Sequence, residues 1–342
     1  MQVHIFRRPP VGRRNLMRIH GCFALLLIAA SMPASAAPEV GKSPWGPADE
    51  IGRLNLMTAE SRAEILKQSD ASQAYDLSVD YFVGMPSWHG IGDPRSQYWL
   101  THTPRGTEVD DPMQVGRQAN SRVSYTGDAV SMYTHMGTHI DALNHFGLNG
   151  QIYNGFSADE HLGDRGWRKA GAETIPLIVA RGVLIDVAAS QGRAMLPDNY
   201  RIRRADLERA LMKQTVSLRR GDVVLIRTGR MARFQEGQAF IDKAPGLDMD
   251  GARYLVEQGA MVVGADNLSF EAFPSDDPVN YVPVHTYLLA EHGIPIIELA
   301  FLEELAKDRV FEFAFIGGSL KFRGASAAPI RPIAFRLVKK PE

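Results

Sequence analysis

Apolar residues gather along the chain in short runs separated by turn-forming residues, and the runs have the length and composition of β-strands. They lie at residues 75–83, 175–180, 182–187, 223–228, 260–264, 294–297, 311–316 and 332–338. Between some of them the spacing predicts helices, at 59–68 after the capping residue Thr58, at 204–213 after the Asp198-Asn199 turn, at 251–258 and at 299–307. Strands and helices alternate in the second half, whereas the first half is richer in loops. The pattern predicts one continuous α/β domain with a substantial mixed sheet and flanking helices.

The N-terminus has a different pattern. Arg13, Arg14 and Arg18 precede the apolar run 22–31 (CFALLLIAAS), and Ala34-Ser35-Ala36 has the small-residue spacing of a signal-peptidase site. Residues 1–36 are therefore expected to be a signal peptide, leaving 37–342 as a periplasmic or secreted protein. The run is too short for a membrane anchor. Arg13-Arg14-Asn15-Leu16-Met17 also resembles a twin-arginine signal, although Met17 could be the start of a plain secretory one.

Composition narrows the chemistry. With 38 Lys and Arg against 39 Asp and Glu, the net charge of −1 gives no field for nucleic acid. The one cysteine, Cys22, lies in the segment expected to be removed, which excludes disulfides, thiol nucleophiles and thiolate ligands from the mature chain. Glycine-rich phosphate loops and a G-x-S-x-G elbow are missing from the sequence.

The informative stretch is 133–145, YTHMGTHIDALNH, where His135, His139, Asp141 and His145 stand at HxxxHxDxxxH. On one regular helix Asp141 would point roughly 200° away from His139, and on one strand the outer histidines would be about 33 Å apart. A turn at Gly137-Thr138 leading into a helix from Asp141 would bring all four together, with Asp141 and His145 as i,i+4 neighbours. Two imidazoles and a carboxylate are the usual ligand set of a catalytic zinc and also suit manganese or iron.

HMGTHIDALNH resembles the HxGTHxDxxxH signature of the cyclase-like metal hydrolases, which include bacterial kynurenine formamidase and isatin hydrolase. The likeness extends to 45–52 (WGPADEIG), 147–155 (GLNGQIYNG), 181–187 (RGVLIDV), 221–229 (GDVVLIRTG) and 328–334 (APIRPIA). It implies a swivelling β/β/α-type fold and a metal-activated water that opens an amide bond. His135, His139 and Asp141 match the primary ligands, and His145 matches a histidine that transfers protons or binds a second metal. His285 and Glu298 resemble the distant residues completing the cluster, with one or two ions of Zn2+ or Mn2+ as cofactor. Asp266 and Ser269 resemble positions of a substrate-side loop, whereas Glu271 stands where many relatives carry aspartate.

A divalent ion that activates water makes a protein nucleophile unnecessary, and His145 has the ordinary pKa for moving the proton. The loop 82–90 (FVGMPSWHG) offers Phe82, Met85, Pro86, Trp88 and His89, of which Phe82 and Trp88 are the candidate substrate-binding residues; the alternative for Trp88 is a place in the core or at a subunit interface. An N-formyl arylamine and a fused lactam such as isatin both fit, and export argues against kynurenine formamidase itself. The expected partners are a small molecule and further copies of the chain, as a dimer or tetramer. Two other readings remain open, a non-catalytic exported metal-binding protein and a metal-dependent lyase or dehydratase.

Overall fold

The computed structural model describes residues 38–338, so the expected signal peptide lies outside the described residues. Nine strands form one mixed sheet: β1 (Ser69–Asp76), β2 (His139–Asp141), β3 (Ile178–Asp186), β4 (Val223–Arg227), β5 (Val262–Ala265), β6 (Ile296–Glu298), β7 (Glu312–Gly317), β8 (Ala327–Pro329) and β9 (Ile333–Leu337). They hydrogen-bond in the order β1-β9-β7-β3-β4-β5-β6-β2-β8. The central run β3-β4-β5-β6 is parallel, and every other pairing is antiparallel.

The central strands are buried on both faces, which is why they read as continuous apolar runs. Val183, Ile185, Val224, Ile226 and Val263 face one core together with Leu207 and Leu211 of α2 (Arg204–Gln214) and Leu255 of α3 (Met249–Glu257). Leu184, Val223, Leu225 and Val262 face a second core with Leu54, Phe313 and Leu305 of α4 (Glu303–Lys307). The helix expected at 59–68 is present as α1 (Ala59–Gln68), closed at its start by reciprocal bonds between Thr58 and Ser61. Among the described residues no helix is long and apolar enough to cross a membrane.

Three expectations change. The runs 175–180 and 182–187 are one strand, β3, because Arg181 between them stays in the ladder and pairs its buried guanidinium with Asp222 at 2.6 Å and with Glu312. The run 75–83 contributes only Tyr75 and Asp76 to β1, which begins at Ser69; the strand lies at the edge of the sheet, so its polar residues stay in water and hide it from an apolar pattern. The helix expected over 299–307 begins only at Glu303. Leu299 sits at φ 54°, and residues 299–301 spend their N–H groups on Asn267, Ala265 and Leu77 instead.

Candidate metal centre

The HxxxHxDxxxH segment does not build the helix expected from Asp141. His139, Ile140 and Asp141 form β2, which is paired on both edges. On one side His139 lies opposite Glu298 and Asp141 opposite Ile296; on the other, the same two residues face Pro329 and Ala327. Ladder bonds on two sides of a buried segment satisfy more backbone than one helical turn could. Alternation then sends Ile140 into the core with Ile297 and Ala328, while His139, Asp141 and Glu298 share the opposite face. Strand register, rather than helical spacing, therefore brings the distant glutamate to the motif.

The expected turn at Gly137-Thr138 is present. Gly137 has φ 60°, and a Cβ there would come within 2.4 Å of the Tyr81 ring, so glycine is required twice over. Thr138 is fully buried; its hydroxyl accepts from the Val79 N–H at 2.9 Å and donates to the Leu299 carbonyl at 2.7 Å. After β2, a turn closed by the His145 N–H on the Ala142 carbonyl at 3.0 Å brings His145 back over His135, with ring centroids 3.9 Å apart.

These elements converge on a group of six ionisable side chains, five of them buried and His145 half-buried. His139 donates from Nδ1 to the Gly137 carbonyl at 2.8 Å, which leaves the Nε2 lone pair aimed at the carboxylates, 3.4 Å from Asp141 Oδ1 and 3.5 Å from Glu298 Oε2. His135 touches Ser326 Oγ through Nε2 and lies 2.8 Å from Asp141 Oδ1 through Nδ1. His285 places Nε2 3.5 Å from Glu298 Oε1 and 4.0 Å from Asp141 Oδ2. Its Nδ1 meets Glu271 Oε1 at 2.5 Å, and that oxygen also accepts the His285 backbone N–H at 3.0 Å.

Electrostatics follows from this crowding. Burial works against charge on Asp141, but the neighbouring His145 and His135 outweigh it and hold its carboxyl well below the usual range. Burial, reinforced by His135, pushes His145 well below an ordinary histidine. For His285 burial is outweighed by Glu271 and Glu298, which raise its pKa to about 10.

The residues fit a metal ion. His139 Nε2 is buried and has no hydrogen-bond partner among the described residues, and Asp141 Oδ1, although 2.8 Å from His135 Nδ1, makes no well-aligned hydrogen bond. Ligand atoms of His135, Asp141 and His145 lie within 4.8 Å of one another, as do those of Asp141, His285 and Glu298. The two groups share Asp141, so the donor set of imidazoles and carboxylates suits one ion or a pair of ions.

Above the cluster opens a cleft of about 300 Å3 whose wall includes Trp88, Ile91, Tyr133, Phe146, Phe273 and Tyr281. His135, His145, His285 and Glu298 lie at its foot. The model of the Cyclase family matches residues 75–272, which spans the motif, the cleft loop and Glu271. The chain belongs to the Cyclase family. It is 25% identical over 250 residues to the kynurenine formamidase of Bacillus cereus, a match covering 72% of this chain and 96% of that protein. A crystal structure described as a novel cyclase superposes with a TM-score of 0.76 at 28% identity, covering 87% of this chain and all of the other. Isatin hydrolase A from Labrenzia aggregata shares the fold, with a TM-score of 0.56 at 17% identity over 78% of this chain and 94% of its own.

In this cyclase-family chain the six sequence-derived residues His135, His139, Asp141, His145, His285 and Glu298 come together. Trp88 reaches the cleft wall, packed edge-on against Phe273 with centroids 5.9 Å apart. Phe82 does not line the cleft; its ring packs edge-on against Phe234 at 5.8 Å, and its backbone carbonyl accepts from Ser96. Ser269 lines the cleft, whereas Asp266 is spent on the Thr228-Gly229 backbone. Sequence reasoning undervalued Glu271, whose longer side chain reaches His285 from a neighbouring turn, and it missed Ser326, which only the β2–β8 pairing brings to His135. Tyr133 and Phe146 flank the motif directly, and that adjacency was the available signal for two of the wall residues.

Proposed function

We propose that the chain is a metal-dependent hydrolase that opens a non-peptide C–N bond, in an aryl formamide or a cyclic aryl amide, with water as the nucleophile. The observation that carries this reading is the pair of ligand groups sharing Asp141, with the buried His139 Nε2 left without a hydrogen bond among the described residues, at the foot of an aromatic cleft. The relatives named above, a kynurenine formamidase and an isatin hydrolase, support the same chemistry.

His135, His139, Asp141, His285 and Glu298 would hold the ion. When bound, a divalent ion lowers the pKa of water towards 7 and polarises a carbonyl oxygen. His145, kept neutral by burial, accepts a proton from the attacking water and returns it to the departing nitrogen, so that water adds across the C–N bond and gives an amine and a carboxylic acid. Glu271 fixes the tautomer of His285 so that Nε2 faces the cluster. The aromatic wall takes the aryl group.

The test is His145→Ala, assayed for metal content and formanilide hydrolysis. It should keep a tightly held ion and lose roughly 10²–10⁴ in turnover, the usual contribution of positioned proton transfer. Loss of one of two ions would make His145 a ligand instead, a role its place in the first ligand group favours. Full turnover with full metal content would reject both roles. Solvent oxygen-18 appearing in the product acid separates hydrolysis from a lyase or dehydratase reaction.

A further inference from the structure

The cleft wall is uneven in charge. Among the residues lining it are five aromatic side chains, Trp88, Tyr133, Phe146, Phe273 and Tyr281, and no lysine or arginine. Beyond the cluster at its foot, Asp93 is the only carboxylate among the described residues that line the wall. It sits in the same turn as Trp88, with its backbone N–H on the Trp88 carbonyl at 3.4 Å. Its side chain is half-buried, and no hydrogen-bonding or ionic partner for it is found among the described residues. The two carboxylates of the cluster, Asp141 and Glu298, have histidines beside them and would be balanced by a divalent ion. Asp93 has no such counter-charge.

We propose that the cleft selects substrates whose organic part beyond the scissile amide is flat and positively charged, a primary or quaternary ammonium, with Asp93 and the aromatic faces as its recognition elements. This rests on the hydrolase reading above for what happens at the foot of the cleft. The physical reason is twofold. Aromatic faces carry negative potential and attract a cation laid over them, most strongly when it is an organic ammonium that loses little hydration. An unpaired carboxylate in a partly desolvated cleft adds attraction for a cation and repels an anion, and beyond the histidines at the foot the described residues of the wall include no basic side chain to hold a carboxylate or a phosphate. A neutral ring would still bind through its area. An anionic ring of the same size would lose that binding to repulsion.

The experiment separates binding from turnover. With metal-loaded protein, calorimetry measures phenyltrimethylammonium, benzyl alcohol and benzenesulfonate, three probes of similar size and different charge. Hydrolysis is then measured for formanilides carrying 4-trimethylammonio, 4-methyl and 4-sulfonate groups. The expected order is cation, then neutral, then anion, with roughly tenfold between cation and neutral, the scale of a partly desolvated cation–aromatic contact, and with the gap narrowing in salt. In Asp93→Asn the cation-to-neutral ratio should fall several-fold in both measurements, and in Asp93→Lys the order should invert in favour of the sulfonate. Melting curves confirm that both variants are folded. The same order in Asp93→Asn as in the parent, or benzenesulfonate binding as tightly as phenyltrimethylammonium, would overturn the proposal. If the binding order and its dependence on Asp93 hold while no formanilide is cleaved, the charge selection stands and the hydrolase reading falls.

Discussion

Replacing Thr138 by valine removes one hydroxyl from the turn that sets out the metal centre and keeps the side-chain shape. In the parent that hydroxyl holds the Val79 N–H at 2.9 Å and the Leu299 carbonyl at 2.7 Å, and Thr138 is fully buried, so no water can take its place. Each of the two buried polar groups left unpaired costs about 1–3 kcal/mol, and the extra methyl returns about 1 kcal/mol, so a net loss of about 1–5 kcal/mol is expected. Thr138→Ser is the control: it keeps both bonds and loses one buried methyl, for about 1 kcal/mol. The assay is urea unfolding of chelator-treated protein, where bound metal cannot mask the difference, read as a change of midpoint at unchanged slope. A valine variant within about 0.5 kcal/mol of the parent, or a serine variant as damaged as valine, would refute the claim that the hydroxyl ties residues 79 and 299 to the turn.

Two further outcomes follow from backbone contact and from burial of charge. Gly52→Ala should lose about 2–5 kcal/mol, the sum of a left-handed backbone at φ 57° and a Cβ placed 2.3 Å from the Gly293 carbonyl oxygen. Gly90→Ala, with open space around it, should stay within about 0.5 kcal/mol, and equal effects in denaturant melts would dismiss the contact argument. Asp266 is fully buried, and burial raises its pKa to about 6, against three hydrogen bonds from Thr228 and Gly229 that pull it down. Its folded pKa lies above its unfolded value of 3.8, so the stability it contributes is complete below pH 3.8 and is lost as pH rises to about 6, in all about 3 kcal/mol. The stability difference between parent and Asp266→Asn, measured at pH 4 and at pH 6.5, should therefore move by about 2 kcal/mol in favour of asparagine at the higher pH; an unchanged difference would show that Asp266 titrates normally.

The chemistry of the centre was legible in the sequence because it lies in residue types and local order. HxxxHxDxxxH puts four ligand-type side chains within eleven residues, and no periodic surface or core pattern asks for that combination. The parallel core strands were legible for a similar reason: burial on both faces makes them uniformly apolar, so β4 and β5 announce themselves as VVLIR and VVGA. The helix at 59–68 was marked by its cap.

What only the tertiary structure decided was how those residues face one another. Taken alone, residues 139–141 favour a helical turn as readily as a strand, because a three-residue segment carries too little pattern to choose; pairing with β6 and β8 settles it. That pairing sets Glu298 opposite His139 across 159 positions of sequence and sends Ser326 to His135, while a separate turn carries Glu271 to His285. A reader of the sequence sees that imidazoles and carboxylates are present, since that is a property of composition and spacing. Which lone pair meets which carboxylate, which ring lines the cleft and which, like Phe82, packs elsewhere depend on strand register and on the packing of distant segments, and these are settled only when the whole sheet is assembled.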